Sequence, residues 1–344
     1  MRDQFPILSN CIYLNTAYTA PLSQPLHEWR KKDELMFLNT GDLYKKEIEK
    51  TYYTRARAVL SKFIGSQETA TFITANFSVA FQNFVMHLPP TTRVLVLEEE
   101  YPSLTGVLND MGFPLKTVPV SGQFEQDVWQ ELHKGTYEVL ALSVIQYTSG
   151  LYFDLSWLEK IKTAFPDLLI LADGTQFIGA EPFDFSSSAI DAIFGSTYKW
   201  LMAGYGTGYA VLKPELMTVL ESSLLSFETI FDRGHLSINA VGSLSIALTS
   251  ILKENFSALM VHKKALSAQL SRGLLDRNLL ENRVKKRHQH SSIFNLKISP
   301  TVFQGLLENN VRCIWRGEGA RIAVHHYNSV EDISRFFKIL DQFL

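Results

Sequence analysis

The sequence predicts an α/β protein: a mainly parallel sheet with helices on both faces, followed by a smaller α+β unit. Three observations lead there. Through the first two thirds of the chain, short apolar runs alternate with helix-patterned segments, the order a parallel sheet demands because each strand needs a crossover before the next. In the last third that alternation gives way to a long helical stretch and then several short strands. The 344 residues suffice for about two domains and for a core that removes most apolar surface from water.

Taken in order, Thr71–Thr74 reads as a strand and Ser78–Leu88 as the helix after it. Arg93–Leu97 (RVLVL) is a strand of the fully buried kind, and Ser103–Met111 a helix. Val139–Val144 is the next strand, with an amphipathic helix at Leu155–Ala164. Leu168–Ala172 and Ala189–Gly195 supply two more strands, and Tyr209–Leu212 a return strand. Ile246–Leu280 has helical periodicity with a break at Glu254–Asn255. Ser291–Ile298, Cys313–Arg316 and Arg321–His325 read as strands, and Val330–Leu344 as a terminal helix. The expected division is an N-terminal segment (1–20) packed on the small domain, a large domain (21–245) and the small domain (246–344). No internal repeat interrupts it.

Composition narrows the function classes. Hydrophobic residues are 46% and charged residues 20%, with a formal net charge of -2, so the whole-chain balance gives no electrostatic case for nucleic acid or an anionic membrane. The one basic run, Arg283, Lys285, Lys286 and Arg287 with His288 and His290, reads as a solvated loop. The two cysteines, Cys11 and Cys313, have no metal-ligand spacing, so neither a metal site nor a disulfide framework is expected. The opening MRDQFPILSNCIYL lacks a signal-peptide apolar region and no run reaches membrane-spanning length, so the expectation is cytoplasmic.

The chemistry-bearing stretch is Leu168–Leu212. Asp173 follows an apolar strand and precedes Gly174; Lys199 follows a second apolar run and the hydroxyl residues Ser196 and Thr197. Glycines come at 204, 206 and 208, where backbone can approach a ligand. An Asp–Gly pair alone is ordinarily a turn, and a lysine in a glycine-rich loop is ordinarily on the surface. Both in order, each at the carboxyl end of a buried-type strand, fall where open α/β sheets bind ligands.

The pattern Asp173–Gly–Thr–Gln176, then Ser196–Thr–Tyr–Lys199, then a glycine-rich turn, resembles the class V aminotransferase family, which includes cysteine desulfurases, selenocysteine lyases, kynureninase and isopenicillin N epimerase-like proteins. Further landmarks come in the family's order: FPILSNCIYLNTAYTAPLS near the start, TANFSVAFQ (Thr74–Gln82), EYPS (Glu100–Ser103), FDRGHLSINAVGSLSIAL (Phe231–Leu248) and RIAVHHYNSVEDI (Arg321–Ile333). The resemblance covers nearly the whole chain. It implies the PLP-dependent transferase fold (aspartate aminotransferase-like, fold type I), with a mainly parallel seven-stranded sheet in the large domain. It also implies pyridoxal 5′-phosphate (PLP) as cofactor and a small amino acid as substrate.

The implied roles follow residue by residue. Lys199 would hold PLP as a Schiff base and shuttle a proton. Asp173 would pair with the ring nitrogen, Gln176 with the phenolic oxygen, and Tyr101 would stack on the ring. Asn76, Phe77, Ser78 and Ser196, with Tyr198 as a further donor, would hold the phosphate. Arg321 would clamp the substrate carboxylate, a bidentate task suited to a guanidinium, with Tyr147 and Arg316 lining the substrate side. His235 stands where the family has a threonine reaching the neighbouring subunit's phosphate, which implies a homodimer with shared sites. His325 and His326 read as structural.

The sequence also departs from the family. Tyr198 replaces the histidine that desulfurases place before the lysine, and Tyr147 the usual asparagine near the ring. The loop before Arg321 has shrunk to Gly317–Ala320 without the mobile cysteine, which disfavours persulfide chemistry. An aminotransferase is the first expectation and a C–S or C–Se lyase the second. A non-catalytic protein that kept the fold is the reading from another class.

Overall fold

The structure, a computed structural model, describes residues 2–221, 230–232 and 234–344. Arg233, within the Phe231–Leu248 landmark, and part of the shortened stretch between Tyr209 and Phe231 lie outside the described residues.

The short N-terminal strand β1 (Ile12–Tyr13) precedes a seven-stranded sheet made by β2 (Thr71–Thr74), β3 (Val94–Leu97), β4 (Leu115–Val118), β5 (Val139–Ser143), β6 (Leu169–Asp173), β7 (Ala192–Ser196) and β8 (Gly208–Leu212). The spatial order is β2-β8-β7-β6-β5-β3-β4, and every strand runs the same way except β8. The runs Val94–Leu97, Val139–Ser143 and Ala192–Ser196 are buried at every position, which is why they read as continuous apolar strands. In register, Ser143 pairs with Asp173 and Asp173 with Phe194, so the carboxyl ends of the central strands finish together.

After the sheet come β9 (Ile293–Leu296), β10 (Val311–Arg312), β11 (Ile314–Arg316) and β12 (Gly319–Ala323). β11, β12 and β9 form an antiparallel sheet, and β10 pairs in parallel with β1. The expected strand at Cys313–Arg316 is found at Ile314–Arg316, and Cys313 separates it from Val311–Arg312, an unexpected strand that belongs to another sheet.

Helix ends shift from expectation for identifiable reasons. Asn76 caps a helix at Phe77–Val85, and Pro102 opens Pro102–Asp110, where its missing N–H costs nothing. The long C-terminal helix is two, Ile238–Lys253 and Phe256–Asp276, bent by 84° where Asn255 caps the second. The first starts eight residues earlier than expected, because Ala240–Ser245 are all buried and leave no polar face to mark a period. Helices Gln24–Thr40 and Asp42–Ile64, absent from the expectation, have no clean apolar stripe: Leu26, Ala56 and Leu60 are buried while Leu35, Phe37 and Leu38 are exposed.

The basic run is only partly solvated: Lys285, Lys286 and His288 are exposed, whereas its two arginines are engaged. Arg287 is buried against the Glu125 carboxylate and donates to the Tyr152 carbonyl at 2.7 Å. Arg283 pairs with Glu99 and Glu281 at 2.5 Å each. Among the described residues, no single helix is long and apolar enough to cross a membrane.

Candidate active site

A cavity of about 560 Å³ opens at the carboxyl ends of β2, β5, β6 and β7. A roomier hollow of about 680 Å³ lies away from it, but its charged groups are already engaged: Lys162 with Asp191, and Lys213 with the Phe185 and Ser186 carbonyls.

Lys199 sits three residues past the end of β7, buried, in a loop fixed to the next strand by Thr197, whose N–H and hydroxyl both donate to the Thr207 carbonyl. Its Nζ lies 5.8 Å from the Tyr101 ring centroid and 5.6 Å from that of Tyr198. Burial brings its pKa down to about 7; the Arg321 and Arg316 charges add to that, and Asp173 opposes them. At neutral pH much of this lysine is therefore a free amine.

Asp173 ends β6 and is fully buried, its Oδ1 accepting from the Thr175 N–H at 2.7 Å. Burial raises its pKa, against the Thr175 hydrogen bonds and the Lys199 charge. Gln176 is pinned from both sides: its Nε2 donates to the Ala17 carbonyl and its Oε1 accepts from Trp200 Nε1, each at 2.8 Å. One N–H of the amide remains for a ligand.

The start of helix Phe77–Val85 narrows two expected roles, those of Asn76 and Phe77. Asn76 Oδ1 accepts from the Val79 N–H at 3.0 Å, and the Phe77 N–H donates to Ser196 Oγ at 3.0 Å. The Asn76 side chain therefore serves as the cap, and the Phe77 N–H is engaged within the protein. The N–H of Ser78, the Asn76 Nδ2 amide and the hydroxyl protons of Ser78 and Ser196 are what this end offers an anion.

Tyr101, at the N-cap of the next helix, meets Tyr147 edge-on at 5.4 Å and Phe77 at 6.2 Å between centroids, closing an aromatic wall. Arg321, on β12, donates to the Tyr147 carbonyl, and burial pushes its pKa down to about 10 with Arg316 as the next cause. Arg316, on β11, lies over the Tyr18 ring at 5.6 Å. His235 is not brought to this cavity in its own chain; it is exposed beside Glu49 (3.3 Å) and Lys45 (3.1 Å). His325 and His326 are buried behind Trp200 and do not line the cavity. Both cysteines are buried with raised pKa, Cys313 to about 12. The expected loop Gly317–Ala320 is a two-residue hairpin turn, Gly317–Glu318, with Gly317 at φ +58 as the first central position demands.

Sequence reasoning missed Glu100. It is buried, accepts from the Ser143 N–H at 2.9 Å and from Gln146 Nε2 at 3.0 Å, and also bonds the Ser143 hydroxyl. As the last of three glutamates after a strand it looks like a solvated run. The left-handed backbone of Glu99 (φ 60) is what turns Glu100 inward, and no sequence signal marks that.

A buried lysine and a buried carboxylate at the carboxyl ends of a mainly parallel seven-stranded sheet define the fold type I class of PLP-dependent enzymes. The profile of the class-V aminotransferases matches residues 39–336, and the chain belongs to that PLP-dependent family. An uncharacterized protein of Schizosaccharomyces pombe is 24% identical, over 98% of this chain and 86% of its own length. A mutant of C-DES with glycine covalently linked to its PLP cofactor superposes with a TM-score of 0.89 at 16% identity, covering 99% of both chains. The apo cysteine desulfurase of Thermococcus onnurineus gives 0.83 at 15% identity, covering 99% of this chain and 96% of the other. These two likenesses concern the fold.

Proposed function

We propose that this protein is a PLP-dependent enzyme acting at the α-carbon of a small amino acid, with transamination as its reaction. The observation that carries the reading is the pair Lys199 and Asp173. A buried amine, half deprotonated near pH 7, shares one cavity with a buried carboxylate. PLP suits both: its aldehyde takes the amine, and its ring N–H gives the buried carboxylate the cationic partner that burial otherwise denies it. When bound, PLP supplies an electron sink for the substrate α-carbon.

In this reading Lys199 Nζ would hold the cofactor covalently and would serve as the amine that carries the substrate α-proton. Asp173 keeps the ring nitrogen protonated. Tyr101 covers one ring face, and the free N–H of Gln176 is directed to the phenolic oxygen. The Ser78 N–H, the Ser78 and Ser196 hydroxyls and Tyr198 hold the phosphate at a helix N-terminus. Arg321 receives the α-carboxylate beside Tyr147. His235, outside the cavity of its own chain, reaches the site of a second copy, and the exposed Leu35, Phe37 and Leu38 support a homodimer. The burial of both cysteines speaks against a route that needs a protein thiolate. Loss of a β-substituent, which needs none, is the second reading, supported by the C–S lyase named among the fold neighbours.

The test is visible absorption of the purified protein with PLP, then with a panel of L-amino acids. Wild type is expected to show the band of lysine-bound cofactor and to shift it with one class of amino acid. Lys199→Ala is expected to show free cofactor only, with an unchanged far-UV circular dichroism spectrum. A borohydride-fixed label on any other lysine would refute the assignment. A 2-oxo acid with the intact carbon skeleton reports transamination, and ammonia release reports the lyase.

A further inference from the structure

Two arginines, Arg321 and Arg316, lie within charge range of Lys199 just beyond the residues that line this cavity, and among the described residues neither has an anionic partner. Arg321 is 2% exposed and donates to the Tyr147 carbonyl. Arg316 is half-buried with its head over Tyr18, which also faces Arg321. Among the described residues, no carboxylate pairs with either guanidinium, and the Nε of each is buried without a hydrogen-bond acceptor. Both charges reach Lys199, and Arg316 acts on Arg321 itself.

Such a pair is costly. A buried charge without a counter-ion is destabilising, and two like charges side by side compound it. Other arginines that leave the surface spend their N–H groups on several partners: Arg287 on Glu125, Arg283 on Glu99 and Glu281, and Arg30 on the Ser243 hydroxyl and the Ala203 carbonyl. Arg316 and Arg321, by contrast, each keep a buried Nε without an acceptor. The hairpin explains the placement. Ile314 lies opposite Arg321 and Arg316 opposite Gly319, so the two arginines are diagonal neighbours on one face, roughly 7–8 Å apart at the backbone. The short Gly317–Glu318 turn fixes that diagonal. One guanidinium lies deep and the other nearer solvent beside the exposed Tyr18.

We propose that the substrate is an amino acid carrying a second anionic group, with Arg321 on its α-carboxylate and Arg316 on the distal acid. This rests on the reading that the cavity binds an amino acid, and it names the substrate's class. The phosphate of the cofactor does not need the pair, since the helix start at Ser78 offers donors for it. The aromatic wall of Tyr101 and Tyr147 gives a methylene chain between two acids apolar surface to lie on.

The experiment uses the PLP-loaded protein and amine-free probes, butyrate and valerate against succinate and glutarate. Binding is followed by thermal shift and by competition against the amino-acid spectral response. Dicarboxylates are expected to bind about tenfold or more tightly than monocarboxylates of equal length, the worth of one extra charge-assisted hydrogen bond. Arg316→Gln is expected to erase that preference while leaving monocarboxylate binding and cofactor attachment in place. Arg321→Gln is expected to weaken both probe classes. Equal binding of the two classes by wild type overturns the proposal, and needs no variant to fold. A preference that survives Arg316→Gln, or a variant that only loses stability, also overturns it and makes Arg316 structural. In each of those cases an amino-acid response would leave the enzyme reading intact. Absence of any carboxylate binding and of any amino-acid response would sink both.

Discussion

At the scale of single residues, Glu100 shows how one buried group arranges several others. Its carboxyl ties the loop carrying Tyr101 to Ser143 at the end of β5 and to Gln146 beside Tyr147, so both aromatic walls depend on it. Burial raises its pKa to about 7; the bonds from Ser143 and Gln146 oppose this, and the nearby Asp173 charge adds to it. The folded value lies above the ordinary glutamate value of 4.5, so between the two the folded protein keeps a proton that the unfolded chain releases. Its contribution to stability is therefore fully present below pH 4.5 and is lost as pH rises through about 7, at a cost of about 3 kcal/mol. Glu100→Gln, neutral throughout, is expected to flatten the fall of Tm across that window relative to wild type. Parallel Tm–pH curves for the two proteins would show that Glu100 does not carry the slope.

At the scale of elements, the helix start at Phe77 is seated directly on β8. A Cβ at Gly208 would lie 2.6 Å from the backbone of Asn76 and 2.7 Å from the Gly195 carbonyl oxygen, neither of which can swing aside. Gly208→Ala is expected to cost about 1–3 kcal/mol by overpacking and to weaken PLP binding, because what must shift is the phosphate-side helix start. Urea denaturation and a PLP titration check both. Lost stability with unchanged PLP affinity would separate the strand from the cofactor. Gly106→Ala, with nothing within 4 Å in the middle of a helix, is the matched control, expected to gain up to about 1 kcal/mol. The same elements explain what was legible beforehand. β3, β5 and β7 were readable because both faces are buried, and Asp173 and Lys199 because they follow such strands. The helices between residues 24 and 64 were not, because their exposed leucines and phenylalanine blur the periodicity. The edge strand Leu115–Val118 was not, because Lys116 and Thr117 face solvent. Glu100 and the unpaired state of Arg316 depend on what lies across the fold, which no local pattern encodes.

At the scale of the whole molecule, the C-terminal part is tied to the N-terminal segment at several points and to the Trp200 side of the large sheet at one more. β1 pairs with β10, Arg2 binds Asp332 at 2.6 Å, and the Asn328 amide donates to the Tyr13 carbonyl at 3.0 Å. The most buried tie is Lys263. Its Nζ reaches Glu181 at 2.8 Å and the Ser292 hydroxyl at 2.7 Å, and lies 5.5 Å from the ring centroid of Trp200, the residue after Lys199. Burial lowers the Lys263 pKa and Glu181 counters that, so the ammonium depends on this partner. Removing the carboxylate strands a charge inside the protein, whereas removing both ends strands none. Glu181→Ala is expected to cost about 3 kcal/mol, near the low end for a broken buried pair because the Glu181 side chain is 28% exposed. The double variant Glu181→Leu, Lys263→Met is expected to recover most of that loss, since apolar replacements of similar volume need no counter-ion. A double-mutant cycle in urea decides the point. Additive losses would mean that Lys263 works by packing under Trp200. Recovery in the double variant would make the ion pair the junction between the two parts of the fold, and the lysine-bearing loop one of the places where its breakage is felt.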